Sequence, residues 1–385
     1  MTTNTLRDLS GSSSYWNISN PIGAKSDVDV VKAWIQHSCS NSQHTLNSYV
    51  KEIKRFLIFC DSIQTRFDHI SALDINQYLA ILHNPDDTWL KPENGSITLK
   101  TQILLKGLKL DSVEYSQRVL NSFYNYIKEA GVIQSNPVML STKIRSESAY
   151  STTGKALSFD AWDYLSAWLK HESLKANNNH NRSKAIRDRW LMHLLYCTGA
   201  RRSSITNMSM ASFSVEQTAH KRVWVVNFLM KGNRKHSVLV TDELLEELKF
   251  YRSSIGLSQL PNENEVHIPV VPAVSLKPNS ILKADKNISE RGINYVIEES
   301  LKQASSDCED YFISKELEAA TPHTFRHTCA THWLTLGIDI VATQKHLGHK
   351  NINTTMIYMR DSDEHRINEN ERLSKIMADR EKKYK

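Results

Sequence analysis

The chain contains no long apolar run. None of its stretches approaches the roughly 20 consecutive apolar residues that a membrane-spanning helix requires, so the sequence predicts no membrane partner. Residues 1–25 contain no apolar core of the kind found in secretion signals. Their content of serine, asparagine and threonine predicts a disordered leading segment.

Paired cysteines are absent as well. The cysteines are scattered and odd in number, and no two of them form a Cys-x-x-Cys pair. The sequence therefore predicts reduced thiols in a cytosolic protein rather than a disulfide framework. The five residues concerned are Cys39, Cys60, Cys197, Cys308 and Cys329.

Charge of one sign is only slightly in excess. The chain has 48 lysines and arginines against 42 acidic residues, a net charge of +6, with a pI of about 8.9. An excess this small is equally typical of a basic soluble protein, so charge alone does not identify a nucleic-acid partner. The 385 residues, 40% of them hydrophobic, are enough for two or three domains with separate cores.

The region 26–141 has the apolar periodicity of helices. Between Leu46 and Phe59 the apolar residues recur at the spacing of an amphipathic helix. Three basic residues are expected on the solvent face of this helix, where they are solvated charges or DNA contacts: Lys51, Lys54 and Arg55. The pattern predicts a small helical bundle, followed by a Ser/Thr-rich linker over residues 142–156.

The region 157–362 combines helical patterns with a β-hairpin. A β-branched and aromatic run over 222–229 is followed by a turn with basic residues and by a second such run over 236–240. The predicted fold class is mainly α with a small antiparallel β-sheet (α+β), after an N-terminal α-helical bundle.

Four side chains with chemistry in common lie on short segments between Thr321 and Arg360, separated by glycines. They are His323, Arg326, His349 and Tyr358. Because His323 and Arg326 are three residues apart, they share one face of a helix and can grip one phosphate.

Cleavage of a phosphodiester by direct displacement needs neutralised phosphate oxygens, an aligned nucleophile and a proton for the leaving oxygen. Arg326 and an arginine of the segment Thr198-Gly-Ala-Arg-Arg-Ser suit the first need, because guanidinium matches two phosphate oxygens and keeps its charge. Tyr358 is the candidate nucleophile, with His323 as the base that takes its proton. Lys231, at the hairpin tip, is the candidate acid for the leaving oxygen.

Taken together, these segments resemble the tyrosine recombinase (phage integrase) family. The matching segments are Thr198-Gly-Ala-Arg-Arg-Ser, Lys231-Gly-Asn-Arg-Lys, His323-Thr-Phe-Arg326, and Leu347-Gly-His349 with Tyr358 nine residues later. The resemblance covers the chain from about Leu157 to its end. The N-terminal bundle fits the family's core-binding, SAM-like DNA-binding domain by position and type only.

The resemblance implies a role for each matching residue. Arg201 and Arg326 would bind the scissile phosphate, and His349 would hydrogen-bond it. His323 would act in acid–base chemistry and Lys231 as the general acid. Tyr358 would form a 3′-phosphotyrosyl link that a second strand's 5′-hydroxyl resolves, without metal, ATP or other cofactor.

The resemblance also implies partners and a location. The family acts as a homotetramer on two double-stranded DNA recombination sites, in some cases with accessory DNA-bending proteins. Residues 157–362 would be the catalytic domain, and 363–385 would dock on a neighbouring protomer or fold back on their own domain. The expected location is the cytoplasm, at the nucleoid, and the expected setting is DNA recombination or integration by a mobile element, since integration, excision, resolution and inversion share the same chemistry.

Two positions depart from the family pattern. Many members have an acidic residue three positions after the first arginine, where this chain has Ser204. Arg202 is basic where the family usually has a small or apolar residue. The choice of Arg201 over Arg202 rests on alignment to Thr198-Gly199.

Three other functions are compatible with parts of the pattern. The histidines between 323 and 349 raise the hypothesis of a zinc hydrolase, although Thr324 stands where such a motif has glutamate. His327 and His332 are interpreted as packing or DNA-backbone residues. An accessory DNA-binding factor that lacks catalysis, and a topoisomerase or hairpin resolvase of like chemistry, are the remaining alternatives.

Overall fold

The computed structural model describes residues 21–39, 43–92, 99–144, 156–175, 179–230, 234–273 and 286–360, together with 370, 373, 374 and 377. The chain divides into two compact units, Met1–Ala149 and Tyr150–Lys385. Residues 145–155 of the predicted linker, and most of the predicted segments 1–25 and 363–385, lie outside the described residues. The domain bounds given above therefore remain predictions.

The first unit is a helical bundle. Its α-helices are α1 (Asp27–Ser38), α2 (Gln43–Ser62), α3 (Ala72–His83), α4 (Leu110–Glu129) and the single turn α5 (Pro137–Leu140). Ser71 begins α3 with a capping box that includes Asp74. The core is rich in aromatic side chains, several of which meet edge to face, such as Phe56 with Tyr78 at a centroid distance of 5.3 Å.

One prediction for the first unit is wrong. Arg55 does not lie on the solvent face of α2, because its side chain is buried and 6% exposed. Its Nη1 donates to Glu52 at 3.0 Å, and the Ser116 hydroxyl donates to the same carboxylate oxygen at 2.6 Å. Apolar periodicity does not reveal a buried ion pair, since both partners have the polarity of a surface residue.

The second unit surrounds α7 with helices and one sheet. Its elements before the sheet are α6 (Phe159–Lys175), α7 (Asn179–Thr198) and α8 (Arg202–Ile205). The sheet is formed by β1 (Phe213–Gln217), β2 (Arg222–Met230) and β3 (Arg234–Leu239). The elements after it are α9 (Asp242–Ser254), α10 (Glu290–Asp307), α11 (Tyr311–Ala319), α12 (Thr324–Thr335), α13 (Ile340–Leu347) and α14 (Asn353–Arg360).

The strands pair antiparallel in the order β1-β2-β3. Val226 faces Phe213 on one side and Val238 on the other, and all three are buried in the core of the unit. The predicted fold class, mainly α with a small antiparallel sheet, is thereby confirmed. Strand β1 was not predicted from the sequence.

Histidine hydrogen bonds hold the C-terminal helices in place. His332 of α12 donates to the Leu157 carbonyl at 3.0 Å and accepts from the Tyr196 hydroxyl at 2.9 Å. His346 of α13 donates to the Cys197 carbonyl at 2.9 Å. These bonds connect the two helices to the centre of the unit and so fix the segments that carry the candidate site.

Candidate active site

The turn after α7 places the first arginine. Thr198 ends the helix, and its hydroxyl accepts a hydrogen bond from the Ala200 N–H at 3.2 Å. Gly199 has φ +56°, and a Cβ there would come within 2.5 Å of Leu347 Cδ2. Both the left-handed backbone and the close packing therefore require glycine. The turn leaves Arg201 half-buried at the N-cap of α8.

Arg326 joins this turn to the segment after α13. Its Nη1 donates to the Gly199 carbonyl, and its Nη2 donates to the Leu347 carbonyl at 2.7 Å. Tyr358 lies close enough to act on the pKa of Arg326. Although it is only 8% exposed, the guanidinium therefore has two backbone hydrogen-bond partners and a phenol nearby. A single buried cation holds together the segments from which the site is built.

His349 follows Gly348, which ends α13 in the left-handed conformation with φ 65°. The His349 N–H donates to the Gln344 carbonyl at 3.1 Å, and the Gln344 amide donates back to the His349 carbonyl at 3.0 Å. Its Nδ1 lies 2.8 Å from the Thr355 hydroxyl. The His349 ring is nearly parallel to that of Tyr358, with centroids 6.2 Å apart.

Tyr358 lies on α14 and is buried, with 8% of its surface exposed. Its ring meets His327 edge to face at a centroid distance of 5.2 Å. His327 therefore packs against the candidate nucleophile, a contact that its position four residues after His323 does not indicate. His332, which the sequence analysis likewise interprets as a packing or DNA-backbone residue, is buried on α12 at 2% exposed.

Burial and charge oppose each other at Tyr358 and Arg326. Burial raises the pKa of Tyr358, although Arg326 and Arg201 act in the opposite direction. The arginines therefore do not by themselves produce a phenolate, and deprotonation needs a base. Burial, and then the charge of Arg201, lower the pKa of Arg326 to about 10, so its guanidinium remains charged at neutral pH.

Both site histidines are held in the neutral form. Burial, followed by Arg326 and Arg201, lowers the pKa of His349 to about 4. Loss of water around part of the ring, followed by the charges of Arg202, Arg201 and Arg326, lowers the pKa of His323. At neutral pH each ring has one lone pair and one N–H, so each can accept or donate one proton.

The two adjacent arginines have different surroundings. Arg202 donates through Nη1 to Asn294 of α10, and its charge affects the pKa of His323. The charge of Arg201 affects the pKa values of Arg326, His349 and Tyr358. Arg201 is therefore the arginine that the structure brings near Tyr358.

Ser204 occupies a buried position that links two elements. It is 3% exposed, and its hydroxyl donates to the Leu229 carbonyl near the end of β2 at 2.9 Å. At this position, where many family members have a carboxylate, the chain therefore has a neutral side chain whose hydrogen bond connects α8 to β2.

Lys231 lies outside the described residues, so its placement stays a prediction. The described strand after it borders a basic cavity of about 440 Å³ that reaches His349. The residues that line this cavity are Arg234, Lys235, His236, Ser237, Gln344, Lys345, Gly348 and His349. The cavity provides positive charge next to the cluster.

The histidines do not form a metal site in the part of the chain that the structure describes. No group of three or more His, Cys, Asp or Glu residues is arranged there to hold a metal ion. None of the described helices is long and apolar enough to cross a bilayer.

A helical unit with a small antiparallel sheet, in which Arg326, Arg201 and His349 lie close to Tyr358, is the arrangement expected of the class of tyrosine recombinases. Residues 167–365, just over half of the chain, match the model of the phage integrase family. The chain belongs to the phage integrase family and is a tyrosine-type site-specific DNA recombinase.

Two curated relatives extend the likeness to most of the chain. Tyrosine recombinase XerC of Leptospira interrogans is 26% identical over 323 residues, which cover 84% of this chain and 85% of the relative. A tyrosine recombinase of Thermosipho africanus is 23% identical, covering 88% of this chain and 96% of the relative.

Solved structures agree at the level of the fold. The XerH site-specific recombinase bound to palindromic difH substrate, a post-cleavage complex, matches with a TM-score of 0.56 and 14% identity, covering 92% of this chain and 85% of that one. The Tn1549 transposon integrase, in complex with a circular intermediate DNA, also matches with a TM-score of 0.56 and 14% identity. That match covers 89% of this chain and 98% of the integrase.

Proposed function

We propose that this recombinase cuts and rejoins DNA through a covalent 3′-phosphotyrosyl link formed by Tyr358. The observation that supports the proposal most strongly is the proximity of Arg326 to Tyr358 within one chain, close enough for the charge of Arg326 to act on the pKa of Tyr358. The residue that would bind the phosphate thus lies beside the residue that would attack it.

The cleavage step is a displacement at phosphorus. The Tyr358 oxygen forms a bond to the phosphorus, and the bond from phosphorus to the 5′ oxygen breaks. Because the phosphodiester energy is kept in the new ester, a 5′-hydroxyl from another strand can reverse the step. The step as written requires neither a metal ion nor ATP.

Arg201 and Arg326 neutralise the non-bridging oxygens, and His349 donates a hydrogen bond to one of them. His323 accepts the Tyr358 proton, a role that suits its lowered pKa. Lys231 gives a proton to the leaving 5′ oxygen. The roles of His323 and Lys231 follow from the family resemblance and the order of the motifs.

The DNA backbone would continue from the cluster across the basic cavity. Arg234, Lys235 and Lys345 border it, and their charges suit phosphates that flank the scissile one. The solved relatives named above are complexes with DNA, which supports the same class of substrate. We infer that the chain acts as a tetramer on two double-stranded sites, at the nucleoid in the cytoplasm, with accessory DNA-bending proteins where a site requires them.

The proposal is tested with DNA from the genetic neighbourhood of the chain. The purified protein is incubated with nicked fragments of this DNA in EDTA and without ATP. Covalent protein–DNA complexes are then separated on denaturing gels and their attachment points mapped. Attachment to 3′ ends at a defined sequence is expected, together with joining of an added 5′-hydroxyl strand.

Tyr358→Phe is the matched variant, since it removes one oxygen and leaves the ring contacts in place. It should bind the mapped DNA with unchanged affinity but form no covalent complex. Full strand joining by this variant would end the proposal.

A further inference from the structure

Thr355 holds the ring of His349 from the helix that carries Tyr358. The Thr355 side chain is fully buried, at 0% exposed, and its hydroxyl lies 2.8 Å from His349 Nδ1. Thr355 and Tyr358 are three residues apart on α14 and so share a face of that helix. The contact therefore connects the nucleophile's helix to the turn after α13.

The direction of this hydrogen bond follows from the needs of the hydroxyl. Among the described residues, the Thr355 hydroxyl has His349 Nδ1 as its one hydrogen-bond partner. A buried hydroxyl that donates to nothing loses roughly 1–3 kcal/mol. The favourable arrangement is therefore donation from Thr355 to an Nδ1 that has no proton. A neutral imidazole of this kind carries its hydrogen on Nε2.

The tautomer decides what His349 offers to an anion. With the hydrogen on Nε2, the ring presents an N–H donor to a phosphate oxygen. With the hydrogen on Nδ1, it would present a lone pair there and repel the same oxygen. Burial, and then the charges of Arg326 and Arg201, oppose a second proton on the ring by lowering its pKa, so the double donor is not an alternative at neutral pH.

We propose that Thr355 is a positioning residue that fixes His349 as the Nε2–H tautomer and so makes it a phosphate donor. This inference rests on the proposed function, in which His349 binds the scissile phosphate. If α14 moves away from the turn after α13, Tyr358 leaves the site and the Nε2–H tautomer of His349 is no longer fixed.

The first test needs no DNA. The full chain, labelled with ¹⁵N at histidine, is observed by two-dimensional correlation of ring nitrogens and carbon-bound protons, and His349→Gln identifies the signals of this ring. The wild-type spectrum should show a protonated Nε2 and an unprotonated Nδ1. Thr355→Val, which keeps the shape and removes the hydroxyl, should show averaged nitrogens. An Nε2–H tautomer that persists unchanged in Thr355→Val overturns the proposal.

The second test measures single-turnover formation of the covalent complex on the mapped DNA. Thr355→Val should lower the rate roughly 10–100-fold, the range typical of residues that orient a functional histidine, with little change in DNA affinity. Thr355→Ser should restore most of the rate, and Thr354→Val, at the exposed neighbouring position, should match the wild type.

A double mutant separates positioning from a structural role. If Thr355 acts through His349, then Thr355→Val adds no further loss to His349→Gln. An equal loss in both backgrounds contradicts the proposal. A wild-type chain that forms no covalent complex would refute the proposed function, while the tautomer measurement would still decide the role of Thr355.

Discussion

At the scale of single residues, the charge on Arg326 organises the site. The guanidinium donates to two backbone carbonyls and lies close to Tyr358, so it is both a structural tie and a candidate phosphate ligand. All the donors of a lysine would lie on a single nitrogen atom, whereas the planar guanidinium spreads its donors over separate atoms that reach separate partners. This double role explains why burial of a cation is tolerated here.

The first prediction separates the two adjacent arginines. Arg201→Ala should lower covalent-complex formation by roughly 10²-fold or more, the loss typical of removing one donor to a developing anionic charge. Arg202→Ala breaks the bond to Asn294 and should reduce the rate far less. Single-turnover rates of both variants on the same DNA decide the matter, and a larger loss in Arg202→Ala would reverse the assignment.

The second prediction concerns stability and pH. Burial lowers the pKa of His346 from 6.5 to about 4. Between about pH 6.5 and pH 4, the unfolded chain therefore binds a proton at His346 that the folded chain does not bind. The free energy of unfolding decreases as the pH falls through this range. The lowered pKa of His349 changes stability with pH in the same direction. For His346 the loss is at most roughly 3 kcal/mol.

Thermal unfolding of wild type and His346→Gln at pH 7 and pH 5 measures this effect. The variant should lose less stability between the two pH values than the wild type. His220→Gln, at an exposed position, should behave like the wild type. Identical pH dependence of the wild type and His346→Gln would show that His346 does not resist protonation.

At the scale of secondary-structure elements, the site depends on how the end of α7 meets the end of α13. Gly199 and Gly348 are both left-handed, and the absence of a side chain at Gly199 lets Leu347 pack against the turn. The Arg326 guanidinium then finds both carbonyls within reach. The conformations of these two turns thus determine whether Arg326 of α12 can hydrogen-bond the carbonyls at the ends of α7 and α13.

The third prediction tests that meeting point. Gly199→Ala combines left-handed strain with overlap on buried Leu347, so it should destabilise the second unit by roughly 2–5 kcal/mol and lower activity. Gly256→Ala is the matched control, because Gly256 has φ +77° but nothing within 4 Å of an added Cβ. That variant should lose only about 1–2 kcal/mol. Equal losses in chemical denaturation would contradict the close-packing argument.

Cap and periodicity signals predicted most of the elements. Thr241 accepts from the Leu244 N–H to begin α9, and Asp339 accepts from Val341 and Ala342 to begin α13, as their residue types indicate. Strand β1 and helix α11 were missed. They have five and nine residues, and so few residues carry too weak a pattern to separate them from loop.

The candidate site was predictable as a set of residues but not as a geometry. Arg201 and Arg326 are far apart in sequence, and only the resemblance to a family singled out Arg201 rather than Arg202 as the partner of Arg326. The contact of His327 with Tyr358 and the bond of Thr355 to His349 arise from tertiary packing, for which the sequence has no periodic signal. Arg55 was misplaced for the same reason, since its partner Glu52 is buried with it.

At the scale of the whole molecule, the second unit contains every described residue of the candidate site. The match to the family model, residues 167–365, falls within that unit. The first unit has its own aromatic core and corresponds by position to the predicted DNA-binding domain. DNA binding by the first unit stays a prediction, while in the second unit the tyrosine lies beside the arginine of its own chain.

The fourth prediction follows from that last point. If Tyr358 attacks a phosphate held by its own arginines, a mixture of Arg201→Ala and Tyr358→Phe contains no protomer with both groups. The mixture should form no more covalent complex than the two variants alone. Restored cleavage in the mixture, with each variant binding DNA normally, would show that the tyrosine acts in a neighbouring protomer's site.

The most direct measurement of the central claim identifies the amino acid that is joined to DNA. The covalent complex is formed in EDTA without ATP, trimmed with nuclease and digested with protease, and its nucleotide-bearing peptide is sequenced by mass spectrometry. The account predicts a 3′-phosphonucleotide on Tyr358 and none in Tyr358→Phe. A nucleotide on any other residue, or a 5′-phosphate linkage, would contradict it.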